Sequence, residues 1–297
     1  MRIVFSSAFD EGTRAMARAA EALTDAQRQL STGLRSDRIS DDPLSAAAAV
    51  TEHAELDRLD AYKGAGDAAS YRLGLADSVL SDIVTQLTAA QTTALSARGS
   101  SATQGQRDAA ANELLAIRDA LMGDINTQFQ GAYLFSGSKA TVAPYVVSGG
   151  GISAYQGDTD TNAIDIGPGR SVASTFDGGA ILQGTDPVHV LDTLTALAAA
   201  ISSGNQAAID SGVQAVNRAF DRATTAQARL GNDLRTVDET RALISAGHVS
   251  TVSRLSTIED VDLAQAASRL SQAETAYRAT LTAIATIGRI SLMDYLR

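Results

Sequence analysis

Four oxygen-bearing side chains alternate in mid-chain: Asp158, Asp160, Asn162 and Asp165. Such spacing could offer ligands to a calcium ion from one loop. An EF-hand loop also needs a glycine at its sixth position and a bidentate glutamate at its twelfth. Those positions hold Ala163 and Gly169. The run therefore reads as a solvated polar turn. His53, His189 and His248 lie far apart, and no pair has metal-ligand spacing. They read as surface or partly packed histidines. Tyr145, Tyr155 and Phe176 could stack on a carbohydrate, but three aromatics in a small β-rich segment more often form its core. There is no cysteine, hence no disulfide and no thiolate metal site. The nucleophile elbow, the phosphate-binding loop and the dinucleotide fingerprint are all absent. The reading is of a non-enzyme with no metal and no cofactor.

What the side chains can do is pack. Phe9, Met16, Leu23 and Leu30 stand seven residues apart, with Ala19 and Ala26 between them. Seven residues are two helical turns, so these side chains share a face of a rod about 42 Å long. Near the other end, Leu263, Leu270, Tyr277 and Ile284 repeat the spacing, with Ala266, Ala273 and Ile287 at the second seam position. One narrow stripe cannot make a core by itself. The two ends are expected to pack on each other and on copies of the chain, and these eight residues are the candidate assembly seam. Such stripes also occur as ordinary bundle core, and spacing does not separate the two.

Composition narrows the class. Aromatics make up 4% of 297 residues and tryptophan is absent, which is thin for an enzyme core and normal for alanine-rich helical packing. A net charge of −10 argues against nucleic acid as a partner. No apolar run approaches the roughly 20 residues of a membrane span. Ile3–Phe5 is too short for the apolar region of a cleaved signal. By these facts alone the chain would be a soluble cytoplasmic protein.

The elements that hold the seam follow from periodicity and punctuation. Asp42-Pro43 is a helix start, with a carboxylate at the cap and proline at the first turn. That helix is expected to run to about Ala97 on Leu73, Leu80 and Leu87, with Gly64 and Gly66 as weak points. Thr103 and Gln106 form a capping box for a third helix carrying Leu114, Ile117, Leu121 and Ile125, ending near Phe129. Eleven of the 24 glycines then fall between Gly131 and Pro187. Tyr145–Val147, Ala163–Ile166 and Ser171–Phe176 read as strands, with turns at Gly149–Gly151, Gly167–Gly169 and Asp177–Gly179. Asp186-Pro187 reads as a second helix start, followed by Leu191, Leu194, Leu197 and Ile201. From Gln206 to Ile290 the pattern is helical, with Gly231 and Gly247 as candidate breaks.

The expected fold is mainly α: a long coiled-coil and helical bundle formed by both chain halves, with a small β-rich insertion in the middle. The expected domains are 1–41 with 258–297 for terminal assembly, 42–130 with 188–257 for the bundle, and 131–187 for the β insertion. The insertion is expected to be dispensable for folding of the helices.

Several separated blocks resemble one family. A heptad helix leads into Leu30-Ser31-Thr32-Gly33-Leu34-Arg35, then Ser40-Asp41-Asp42-Pro43, then an alanine-rich helix. The block Ile258-Glu259-Asp260-Val261-Asp262 returns near the end. Their order is similar to that of bacterial flagellins and their junction relatives. Gly131-Ala132-Tyr133-Leu134-Phe135-Ser136-Gly137 and the ending Ser291-Leu292-Met293-Asp294-Tyr295-Leu296 resemble the junction branch more than filament flagellin. The resemblance implies a structural protein joining the hook-side adaptor to the filament, with filament flagellin itself as the alternative. It implies an extracellular place in the flagellum, reached through the type III export channel without a cleaved signal. The implied partners are copies of the chain, the hook-side junction adaptor, flagellin and an export chaperone, with neither nucleic acid nor membrane. A soluble signalling coiled coil shares the heptads but gives no reason for a glycine-rich insertion.

Overall fold

The computed structural model describes residues 2–36, 38, 40, 42–99, 103–148 and 151–295, with the side chains of 2–9 and 287–295 outside the description. Among the described residues the chain forms seven α-helices and six short strands. They run α1 (Arg2–Thr32), α2 (Pro43–Ala97), α3 (Gln104–Ile125), β1 (Gln128–Phe129), β2 (Ala132–Tyr133), β3 (Val147–Ser148), β4 (Gly151–Ile152), β5 (Ala163–Gly167), β6 (Arg170–Ala173), α4 (Gly178–Leu182), α5 (Val190–Ser203), α6 (Gln206–Glu259) and α7 (Leu263–Tyr295). The strands pair as three antiparallel hairpins, β1–β2, β3–β4 and β5–β6. The mainly helical fold with a β-rich middle is the one the periodicity implies.

Two compact units divide the chain: Met1–Arg58 with Gly247–Arg297, and Leu59–Ala246. The central unit holds the large side chains. Leu73, Leu80, Ile83 and Leu87 of α2 are buried with Leu114, Leu121 and Ile125 of α3, and with Leu191, Leu194, Leu197 and Ile201 of α5. Antiparallel packing of α3 on α5 is marked by Gln104 Nε2 donating to the Ser202 carbonyl at 3.0 Å and Arg118 to Thr195 Oγ1 at 3.2 Å. Leu134, Phe135, Tyr145, Ile166 and Val172, all from the β-rich segment, belong to the same buried cluster as the helices. The β5–β6 hairpin also touches α6: Arg170 Nη1 donates to Thr240 Oγ1 at 3.2 Å.

The capping box at Thr103 and Gln106 is formed, with both reciprocal bonds present. α2 starts at Pro43 under the Asp42 carboxylate, which accepts the Ser45 N–H at 3.1 Å. It passes Gly64 and Gly66 without a break. At Gly66 the missing side chain makes room for Arg241, which reaches Asp67 at 2.6 Å. Likewise, α6 runs through Gly231 and Gly247 and stops only at Glu259.

In the β-rich segment, the expected strand Tyr145–Val147 is Val147–Ser148 and Ser171–Phe176 is Arg170–Ala173, while Gly149 and Gly150 lie outside the described residues. Three further ends, at helices, differ from the sequence reading. First, α3 stops at Ile125, four residues before Phe129, because Asn126 turns aside. Its amide donates to the Tyr145 carbonyl at 2.8 Å and accepts the Tyr145 N–H at 3.1 Å, which fixes the β-rich segment to the helix end. Phe129 lies in β1. Second, Asp186-Pro187 does not open α5. The Asp186 carboxylate is taken by Arg218 at 2.8 Å and Arg222 at 2.9 Å, and His189 caps the helix instead. Third, Asp177-Gly178-Gly179 is a helix start rather than a turn, with the Asp177 carboxylate accepting the Ala180 N–H.

Candidate assembly interface

The terminal unit is built by closing the two ends of the chain on each other. Gly33 ends α1 in the left-handed region at φ +72°, where glycine carries no steric cost, and its N–H returns to the Gln29 carbonyl at 3.0 Å. Thr32 Oγ1 accepts the next N–H, from Leu34, at 3.2 Å. The chain then runs antiparallel to the segment before α7. Leu34 bridges Asp260, Arg35 N–H donates to the Glu259 carbonyl at 2.6 Å, and Val261 N–H donates to the Gly33 carbonyl at 2.8 Å. Asp262 caps α7 by accepting from Ala264 N–H at 2.9 Å and Gln265 N–H at 3.2 Å. Each residue of the Leu30–Arg35 and Ile258–Asp262 blocks named here thus has a backbone task. The sequence shows the blocks but not that they bind each other.

Side chains reinforce this clasp. Arg254 forks onto Glu52 with bonds of 2.8 to 3.1 Å, and His53 Nε2 meets Glu259 at 3.1 Å. The Arg254 hydrogen bonds hold the Glu52 carboxyl below the usual carboxylate range. Bonds from Ser45, aided by the Arg35 guanidinium, do the same for Asp42. Both pairs still meet water, with the Asp42 side chain 38% and the Glu52 side chain 19% exposed, so their worth is modest and screened by salt.

From the clasp outward, α1 and α7 pack antiparallel, and Ile284 lies against Gly12 near the far end. The eight seam residues are not equally covered. Met16, Leu23, Leu270, Tyr277 and Ile284 are half-buried. Leu30 is 36% exposed and Leu263 60% exposed. Phe9 lies within α1, with its side chain outside the described residues, as is that of Ile287 in α7. The α1–α7 pair is closed instead by the small residues, with Ala26 and Ala266 buried. Leu281, 40% exposed, adds an apolar side chain to α7 that the strict spacing of seven passes over. Among the described residues of this unit, the buried apolar side chains are Ala26, Ala49 and Ala266. The larger seam residues keep apolar surface that the single chain does not cover.

Of the residues with possible ligand chemistry, Asp160 and Asp165 are exposed, whereas Asp158, Asn162 and the three rings have structural work. Asp158 accepts from Ser138 N–H and Oγ, both at 2.6 Å, and these bonds hold its carboxyl below the ordinary range. Asn162 donates its N–H to Thr175 Oγ1, and its carbonyl accepts from Ser174. Tyr145 is fully buried, and Tyr155 and Phe176 are half-buried against the same core. Tyr145 and Tyr155 sit 5.7 Å apart, and Phe135 and Phe176 5.8 Å apart, between ring centres. These rings fill the core rather than offering stacking faces.

Residues 11–140 match the bacterial flagellin N-terminal helical region, and residues 213–296 match the bacterial flagellin C-terminal helical region. Flagellar hook-associated protein 3 of Salmonella typhimurium is 28% identical over 257 residues, spanning 79% of this chain and 80% of that protein. Its namesake from Escherichia coli is 25% identical over 289 residues and 90% of each chain. Among solved structures, the flagellar junction protein FlgL of Legionella pneumophila shares the fold with a TM-score of 0.62. It is 13% identical, across 71% of this chain and 99% of that one. The two matched regions take in both ends of the chain, the clasp and the helices on either side of the β-rich segment, and on that basis the chain belongs to the bacterial flagellin family.

Proposed function

We propose that this chain is a structural subunit of the bacterial flagellum at the hook–filament junction. It joins the hook-side adaptor to the flagellin filament and catalyses no reaction. The observation that carries this reading is the burial of the terminal unit. Two long helices, α1 and α7, are brought together, yet among their described residues only Ala26 and Ala266 are buried, and the large seam residues stay half open. Such a pair is complete only when other chains cover it. Copies of the chain supply that cover around a tube, with the adaptor on one side and flagellin on the other. Relatives named hook-associated protein 3, aligned over 79 to 90% of this chain, favour the junction over the filament itself. Export through the flagellar type III channel, escorted by a chaperone and without a cleaved signal, belongs to the same proposal.

Electron microscopy of cells lacking the gene tests it. The expected result is hooks without filaments, with flagellin shed into the medium. Bare hooks with no shed flagellin would make this chain the filament subunit. Normal filaments on complete hooks would overturn both flagellar readings.

A further inference from the structure

His189 caps α5 in a way that only a neutral imidazole can. Its Nδ1 accepts the Asp192 N–H at 3.3 Å, so that nitrogen carries no proton. The ring is 5% exposed and lies edge-on to Tyr145 with 5.2 Å between ring centres. Its Nε2 is 3.2 Å from the Asp192 carboxylate. The groups facing it are therefore Asp192 on its own helix, the Ser153 main chain just after β4, and the Tyr145 ring; behind Tyr145 lie Tyr155, Asp177 and Arg222. Tyr145 in turn is held by Asn126 at the end of α3. One imidazole thus closes the junction of α3, the β-rich segment and α5.

A second proton has nowhere to go without breaking this arrangement. On Nδ1 it would point at the Asp192 N–H, donor against donor, on a side chain only 7% exposed. The cap is then lost, and the first turn of α5 has an unpaired N–H.

We propose that His189 is an acid-sensitive latch. Neutral, it caps α5 and packs on Tyr145; protonated, it gives up both contacts, and the first turn of α5 opens locally while the core shared by the β-rich segment and the helices stays in place. The physiological sense is local: a subunit in an acidic medium opens at its middle and not along the seam.

The direction of the effect follows from linkage. Burial pushes the His189 ring below its usual pKa, while Asp192 and the Ser153 main chain pull the other way and lose. The folded state therefore binds the proton less readily than the open one. The latch is fully closed above about pH 6.5, and it weakens by up to about tenfold per pH unit below that until the ring protonates in place. The shifted carboxylates do not imitate this. Asp42, Glu52, Asp158 and Asp186 are lowered, so their contribution is lost only below about pH 4. Asp124 and Asp233 are raised by burial, so their contribution grows as pH falls.

The test is amide hydrogen exchange on the full chain at about pH 7.5 and about pH 5.5, corrected for intrinsic rates, for the natural protein, His189→Asn and His189→Ala. Asparagine offers an acceptor oxygen that does not titrate, and His53 and His248 remain in every variant. In the natural protein, protection at Asp192 and Thr193, whose N–H groups bond to His189, should fall about tenfold on acidification, with α3 unchanged. In His189→Asn it should hold within about twofold, and in His189→Ala it should be low at both pH values. Parallel falls in the natural protein and His189→Asn, or no fall in the natural protein, would overturn the proposal. If the variants do not fold, imidazole NMR of the natural protein decides. The His189 ring must titrate below the free histidine value and in step with loss of α5 protection; titration without that loss overturns the latch.

Discussion

Leu270→Asp or Ile284→Asp places a carboxylate on a face only half covered in the single chain. Water still reaches it there, so the monomer should keep its helical circular dichroism. On the proposed assembly surface the same carboxylate would be buried without a partner, at a cost of several kcal/mol. Incorporation into the flagellum should therefore fail while the purified chain stays folded. Equal loss of helicity and of assembly would make these positions ordinary core. Arg222 is the contrasting case. Its guanidinium donates to the carbonyls of Ile181 and Leu182 and to Asp186, tying the end of α4 to α6. Arg222→Ala should lower stability by about 2–3 kcal/mol, since hydrogen bonds to charged groups are worth ~1.5–3 kcal/mol each and some of them are replaced by water. Chemical denaturation would show it as a lower midpoint. The shared helix face of these positions could be read in the sequence because a repeat of seven shows in one dimension. His189 could not. Its role depends on Arg218 and Arg222 occupying Asp186, two residues more than 30 positions away, and Asp-Pro is the stronger local signal.

The helices themselves were legible because they carry their own apolar period and punctuation: Asp42-Pro43 starts α2, and Thr103 and Gln106 start α3. Ends set by tertiary contact were not, and Asn126, which abandons α3 to hold Tyr145, is the plainest example. The same contact changes the expectation for the β-rich segment. A hinge-like insertion could be cut out at little loop entropy, which grows only with the logarithm of length. Here Leu134, Phe135, Tyr145, Ile166, Val172 and Leu182 are buried in one cluster with α2, α3, α5 and α6. Removing them leaves cavities or exposed surface on four helices, and each such truncation costs about 2–5 kcal/mol against a total stability of about 5–15 kcal/mol. Replacing residues 131–187 by a short Gly/Ser linker should therefore abolish the cooperative thermal melt or lower its midpoint by tens of degrees. A deletion that melts sharply at the original temperature would show that the helices carry a core of their own.

On the scale of the whole molecule, the chain holds two units of unequal self-sufficiency. The central unit buries leucines, isoleucines and aromatics. The terminal unit has Ala26, Ala49 and Ala266 as its buried apolar side chains among the described residues, each contributing about 1 kcal/mol. Ordering the backbone costs about 1–2 kcal/mol per residue, and most helix stability in proteins comes from packing rather than propensity. The terminal helices should therefore be the first to open in dilute monomer. Limited proteolysis of purified chain should cut inside residues 1–58 and 247–297 while residues 59–246 survive, and hydrogen exchange should find the terminal amides close to free-peptide rates. In assembled flagella the same amides should be protected by orders of magnitude, because the proposed seam sets neighbouring chains over the open sides of Met16, Leu23, Leu270 and Ile284. Terminal helices that resist protease in dilute monomer as long as the central unit does would mean that the α1–α7 pair is already complete, and the case for the seam as an assembly surface would fall with it.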